Sequence, residues 1–276
     1  MKYIKVTFSV PEDFADILIA ELNEFHYDSF AAEGDQLDAY VVKEYFDERC
    51  LQDLVLKYKE LIPVGYTFED LEDKNWNEEW EKNFDPVRIA NCCMIRASFH
   101  EQDPDYPLEI VINPKMSFGT GHHETTSLMI ENQLNIDHKD KVIMDAGSGT
   151  GILAILAEKL GAYSVDAFDI EDWAFNNMEE NVQLNNCSTI SVKQGTIETL
   201  DLREQYDILL ANINKNVLLE EMPHYAGKLK KGGMLLLSGF YKTDQEDISV
   251  KAGSYKLKLE KESYKNNWAC LVFSKL

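Results

Sequence analysis

A glycine-rich stretch between two apolar segments constrains the fold more than any other feature of the sequence. An apolar run ends at Asp145 and is followed by glycine at three alternate positions, Gly147, Gly149 and Gly151, and then by an apolar helical pattern. This order predicts a strand, a tight turn and a helix. Because glycine has no Cβ, a ligand can approach the turn closely, and the free N–H groups at the helix start favour an anionic ligand group.

A second predicted strand ends in another acid, Asp169. It follows the turn by roughly 20 residues, the spacing at which nucleotide-binding β-α-β units place a carboxylate on the ribose hydroxyls. A dinucleotide site would need a third glycine where this chain has Ile152. Judged from the glycines alone, the stretch could also be a turn that binds no ligand. The two acids, Asp145 and Asp169, together favour a nucleotide site.

Length and charge limit the classes of function. The 276 residues predict one large domain or two smaller ones, and the net charge of −22 disfavours direct binding to nucleic acid. Such a surface would attract a basic partner. The alternative is that the negative charge only keeps the protein in solution. No apolar run approaches the roughly 20 residues that a membrane span needs. The five scattered cysteines, without a CxxC pair, predict reduced thiols and a cytoplasmic location.

The first part of the chain is predicted to form a separate, small domain. Residues 1–72 follow the order β-α-β-β-α-β, which suggests a ferredoxin-like α+β domain that serves in substrate recognition or packing. Residues 73–115 are predicted as a linker helix and extended segments. Trp76 and Trp80 would share one face of that helix, either to dock it onto a neighbouring domain or to contact substrate.

Residues 116–276 are predicted as a domain of alternating strands and helices. A loop with two histidines comes first, and its sequence predicts closure over a ligand. We predict no metal site, because no Cys or acid partner stands at ligand spacing from these histidines. Later come a helix at 217–230, a Gly232-Gly233 turn and a strand at 234–238. A hairpin is predicted at the C-terminal end.

The pattern Asp-x-Gly-x-Gly-x-Gly resembles motif I of class I S-adenosylmethionine-dependent methyltransferases. Three further segments narrow the resemblance: the stretch with two tryptophans, the loop 118–126 and the strand end 211–213. In this order they resemble the ribosomal protein L11 methyltransferase family (PrmA) over nearly the whole chain. The resemblance implies a Rossmann-like seven-stranded class I methyltransferase sheet. Two departures are Pro114-Lys115-Met116-Ser117 before the loop and Glu124 where the family has a proline.

The resemblance also implies S-adenosylmethionine as the cofactor. The residues implied to bind it are Thr126, Gly147, Gly149, Asp169 and Asn212. The glycines would let the backbone approach the amino-acid part, and the acid would accept both ribose hydroxyls. Without the family, Thr126 and Asn212 would be interpreted as capping or turn residues.

The implied reaction is methylation of amines, at lysine side chains and the N-terminal α-amine of the basic ribosomal protein L11. We expect Asn212 to orient the amine and Phe118 to pack near the methyl group, which makes these two the candidate catalytic residues. The alternatives are another basic protein or a small-molecule amine as acceptor, or a protein that binds the cofactor without catalysis. The sequence leaves the oligomeric state open and is compatible with a monomer.

Overall fold

The structure, a computed structural model, describes residues 3–11, 14–23, 25–59, 61–71, 85–113 and 121–276. The chain divides into two compact units, Met1–Asn83 and Phe84–Leu276. The predicted domain boundaries after residues 72 and 115 stay predictions. Trp76, Trp80 and Phe118 lie outside the described residues.

The first unit contains an antiparallel sheet and two helices. Its strands are β1 (Tyr3–Ser9), β2 (Tyr27–Glu33), β3 (Gln36–Val42) and β4 (Gly65–Leu71), and its helices are α1 (Ala15–Asn23) and α2 (Glu48–Tyr58). A short 3₁₀ helix, Lys43–Tyr45, precedes α2. The strands lie in the order β2-β3-β1-β4. Alternate residues of β1, including Val6 and Phe8, are buried with the apolar faces of both helices. The elements follow the predicted order, and the ferredoxin-like assignment stays a prediction.

The second unit contains two sheets. A three-stranded sheet is formed by β5 (Val87–Ile89), β6 (Cys93–Arg96) and β7 (Leu108–Val111). The large sheet is formed by β8 (Val142–Ala146), β9 (Ser164–Asp169), β10 (Ile190–Gln194), β11 (Tyr206–Asn212), β12 (Leu229–Tyr241), β13 (Leu257–Lys265) and β14 (Trp268–Lys275). The helices are α3 (Glu124–Gln133), α4 (Ile152–Lys159), α5 (Asp172–Leu184), α6 (Lys215–Lys228) and α7 (Gln245–Ser254), with a 3₁₀ helix at Lys242–Asp244.

The order of strands in the large sheet is β10-β9-β8-β11-β12-β14-β13. The first five strands are parallel, and β14 runs antiparallel to both of its neighbours. This confirms the expected seven-stranded, Rossmann-like sheet of class I methyltransferases. The chain order reverses between β8 and β11, so a crevice opens there at the carboxyl ends of the strands, where open α/β sheets bind ligands.

Two elements differ from the sequence prediction. Strand β12 begins at Leu229, and its register against β11 shifts between Leu229 and Met234, so the predicted Gly232-Gly233 turn is an irregularity within a longer strand. Helix α7 has no counterpart in the prediction, because only Ile248 and Ala252 are buried along it and its apolar pattern is weak. The predicted free state of all five cysteines is confirmed. In the described part of the chain, no helix combines the length and apolar character that a bilayer span requires.

Candidate functional site

A cavity of about 660 Å³ opens at the carboxyl ends of β8, β9 and β11. Its volume is in the range of sites for small molecules and cofactors. Four of the five predicted cofactor-binding residues line it: Gly147, Gly149, Asp169 and Asn212. The structure therefore brings together, in one cavity, residues that are 65 positions apart in the sequence.

The glycine turn forms one wall of the cavity. Gly147 has a φ of +64°, and a Cβ built on it would lie 2.4 Å from Cγ2 of Ile213, the residue that follows β11. Only a residue without a side chain fits this approach of the turn to the end of β11. The Ser148 N–H donates to the Phe168 carbonyl at 3.0 Å, which ties the turn to β9.

Asp169 is held in place by the backbone on both sides. Its Oδ2 accepts a hydrogen bond from the Gly149 N–H at 2.9 Å, and its Oδ1 accepts one from the Glu171 N–H at 3.1 Å. A carboxylate has about four lone-pair sites, so each oxygen keeps acceptor capacity towards the cavity. This arrangement suits two vicinal hydroxyls, as on a ribose.

Asn212 lies opposite, at the end of β11. Its Nδ2 lies 3.5 Å from the Thr126 hydroxyl, and its Oδ1 is buried without a hydrogen-bond partner among the described residues. A buried amide oxygen without a partner is costly, so this atom is suited to a donor on a ligand. Thr126 is fully buried and stands behind Asn212, whereas its neighbour Thr125 lines the cavity. The predicted contact of Thr126 with a cofactor stays a prediction.

Asp145 supports the turn from behind. Its side chain is fully buried, and its Oδ2 accepts from the Ser148 hydroxyl and, at 3.1 Å, from the Ala154 N–H of α4. Its Oδ1 has no hydrogen-bond partner within the described part of the chain. Burial raises the pKa of this carboxyl from 3.8 to about 7.

The raised pKa of Asp145 predicts a pH-dependent stability. The folded protein binds this proton more tightly than the unfolded chain, so the carboxyl's contribution to the free energy of unfolding falls as pH rises from about 4 to about 7. We expect Asp145→Asn to lack this loss, so that the variant gains stability relative to wild type as pH rises. Urea unfolding of both proteins between pH 5 and 8 measures the difference. If the free energies of unfolding of the two proteins changed in parallel with pH, the raised pKa of Asp145 would be contradicted.

Two walls of the cavity were not predicted from the sequence. Trp268 lies in one of them, where its ring lies 4.7 Å from that of His123 and stacks on Tyr241 at 4.3 Å. The other contains His224 of α6, whose Nε2 lies 3.0 Å from Glu198 Oε1 in the loop after β10. The only sequence signal for Trp268 was its place directly after the hairpin turn. In the described ranges, no group of three or more His, Cys, Asp or Glu side chains could hold a metal ion.

Comparison with known proteins gives consistent matches. A family model described as "Ribosomal protein L11 methyltransferase (PrmA)" matches residues 12–276. The chain is 42% identical over 280 residues to a ribosomal protein L11 methyltransferase of Phocaeicola vulgatus, with 99% of each chain covered. It is 42% identical over 292 residues to that of Porphyromonas gingivalis, with 99% of this chain and 98% of the relative covered.

Two solved structures extend the comparison. The ribosomal protein L11 methylase of Lactobacillus delbrueckii subsp. bulgaricus superposes with a TM-score of 0.65 at 27% identity, covering 70% of this chain and 99% of that chain. A methyltransferase from Pyrococcus furiosus has a TM-score of 0.51 at 15% identity, covering 60% of this chain and 89% of that chain, and it shares the fold alone.

Proposed function

The chain belongs to the ribosomal protein L11 methyltransferase (PrmA) family, and we propose that it methylates ribosomal protein L11 at lysine side chains and at the N-terminal α-amine. One observation carries this proposal: Asp169 and Asn212 line a single cavity from two strand ends at the reversal of the sheet, and the buried Oδ1 of Asn212 has no hydrogen-bond partner among the described residues. The first can hold a nucleoside, and the second can hold the hydrogen of an amine beside it.

The residues of the cavity fit S-adenosylmethionine, the cofactor of this methyltransferase class. The approach at Gly147 leaves no room for a Cβ, and Asp169 keeps free acceptor sites for a ribose. Phe168 and Trp173 add apolar lining that suits an adenine ring. When bound, the cofactor supplies a methyl group activated on a positively charged sulfur.

The chain's own residues have to hold the acceptor amine in its neutral form. A lysine pKa of about 10.4 lies ~3.4 units above neutral pH, so presenting the neutral amine costs about 4.6 kcal/mol. Removing the amine from water beside a cationic group lowers that pKa. Asn212 Oδ1 accepts an amine hydrogen, which directs the nitrogen lone pair across the cavity. We propose that Phe118 packs near the reacting methyl group.

Asn212→Ala is expected to lower the turnover of L11 methylation about 100-fold, because the acceptor that orients the amine is lost. Cofactor affinity should fall less, since the Asp169 contacts remain. Turnover at saturating substrates and cofactor titration by calorimetry measure the two effects.

The matched control for this substitution is Asn132→Ala. Asn132 is a buried asparagine outside the cavity lining, and its Nδ2 donates to the Leu128 carbonyl and to the Ser263 hydroxyl. It should cost stability and leave turnover intact. Unchanged turnover and affinity in Asn212→Ala would remove Asn212 from the mechanism.

The acceptor is tested with the full chain, labelled S-adenosylmethionine and a ribosomal-protein extract. We expect label in L11, with mass spectrometry locating it on lysine and N-terminal amines. If the label appeared in another basic protein or in a small-molecule fraction instead, the proposed identity of the substrate would be wrong. The net charge of −22 supports a basic acceptor, and a ribosomal substrate supports a cytoplasmic location for the reaction.

A further inference from the structure

One face of α5 and the residue directly after it carry three buried asparagines at four-residue spacing, Asn177, Asn181 and Asn185. Their exposed fractions are 1%, 0% and 9%. A buried amide destabilises the fold unless its oxygen and its NH₂ group both find partners. The partners of these three side chains therefore define the role of this face.

Asn185 pairs with a strand edge. Its Oδ1 accepts from the Val111 N–H at 2.9 Å, and its Nδ2 donates to the Val111 carbonyl at 2.6 Å. Since β7 is the outer strand of the order β5-β6-β7, this amide bonds the edge as a neighbouring strand would. The role of Asn185 is thus to hold β7 against α5.

Asn181 makes contacts of a different kind. Its Oδ1 accepts from the Asn113 N–H at 2.8 Å, while its Nδ2 donates to the Thr150 carbonyl at 2.9 Å. Asn113 precedes the segment 114–120, and Thr150 belongs to the glycine turn. Nδ2 of Asn177 donates to the Asn113 carbonyl at 3.2 Å. The Asn181 side chain thus bonds both the glycine turn and Asn113, which leads into the segment that contains the candidate catalytic residue Phe118.

We propose that Asn181 is a positioning residue for methyl transfer, which fixes the glycine turn relative to the chain entering residues 114–120. The proposal rests on the proposed function, since it concerns the same cavity. Asn181 lies behind the cavity wall and acts through the backbone of Thr150 and Asn113. Because it is fully buried, solvent cannot replace either hydrogen bond in a variant.

Asn181→Leu removes both hydrogen bonds at nearly constant volume. We expect cofactor affinity, measured by calorimetry, to fall about tenfold, and kcat for L11 methylation to fall further. Asn185→Leu is the matched control, because it removes another buried amide from the same series, whose hydrogen bonds among the described residues go to Val111 and the helix backbone. It should lower the melting temperature similarly while leaving cofactor affinity at the wild-type value. Equal changes in affinity in the two variants would overturn the proposal.

A second variant keeps the test decisive if Asn181→Leu folds poorly. Asn181→Asp retains the acceptor for Asn113 and loses the donor to Thr150. In the cofactor-free protein we expect amide exchange, followed by NMR, to speed up in the turn 147–151 while the Asn113 amide stays protected. Wild-type protection of the turn in this variant would overturn the proposal. This readout needs no acceptor, so a wild-type enzyme that fails to label L11 would contradict the proposed function and leave this result standing.

Discussion

Asp169→Ala is expected to weaken S-adenosylmethionine binding by about 10²–10³-fold, with a much smaller change in turnover at saturation. The carboxylate can accept both ribose hydroxyls, and two charged hydrogen bonds are together worth about 3–4 kcal/mol, at 1.4 kcal/mol per tenfold in affinity. The substitution also frees the N–H groups of Gly149 and Glu171. Since the proposed role of these contacts is to hold the nucleoside and not the reacting atoms, their loss should act on the ground state and the transition state alike.

Two matched variants separate the ribose contact from a loss of charge. Asp172→Ala removes a carboxylate three residues away, in the first turn of α5, which is outside the cavity lining. It should leave affinity unchanged within a factor of about two. Asp169→Asn keeps one acceptor oxygen, so its cofactor affinity should lie between those of Asp169→Ala and wild type. Calorimetry that finds undiminished affinity in Asp169→Ala would refute the assignment, as would a loss confined to turnover.

Asp169 and the glycine turn could be predicted because their signal is local. The alternation of glycine with other residues, an acid directly before it and an acid at the end of the next strand are all read along short stretches of sequence. Each follows from the geometry of one β-α-β unit. The same locality explains why the helix predicted at 217–230 lies within two residues of the observed Lys215–Lys228.

The hydrogen bonds that hold the site residues in place could not be predicted, because they join residues that are distant in the sequence. Asn212 meets Thr126 across 86 positions, and Asn181 meets Asn113 across 68. Asparagine in a helix has no sequence pattern that separates a solvated amide from one bonded to another segment's backbone. Local reasoning alone would interpret Thr126 as a capping or turn residue, and the structure adds that its buried hydroxyl lies 3.5 Å from Nδ2 of Asn212.

Gly147→Ala is expected to destabilise the folded protein by about 2–4 kcal/mol. This figure combines the cost of a left-handed backbone conformation for alanine with the cost of an overpacked contact. The new Cβ would lie 2.4 Å from Cγ2 of Ile213. The backbone of Ile213 is also closely approached by Gly239, where a built Cβ would lie 2.2 Å from the Ile213 carbonyl oxygen. The strain should therefore move the turn and the neighbouring Asn212, and cofactor affinity should fall with stability.

A double-mutant cycle with Ile213→Ala tests this contact. Removing Cγ2 should restore most of the stability and affinity lost in Gly147→Ala, so the two changes should be far from additive. Gly161→Ala is the control: its φ is +97°, but its Cβ would meet Lys139 Cα at an ordinary 3.6 Å. It should lower stability without affecting cofactor binding, and Ile213→Ala should not rescue it. Additive effects of Gly147→Ala and Ile213→Ala would mean that the glycine is required only for its backbone conformation.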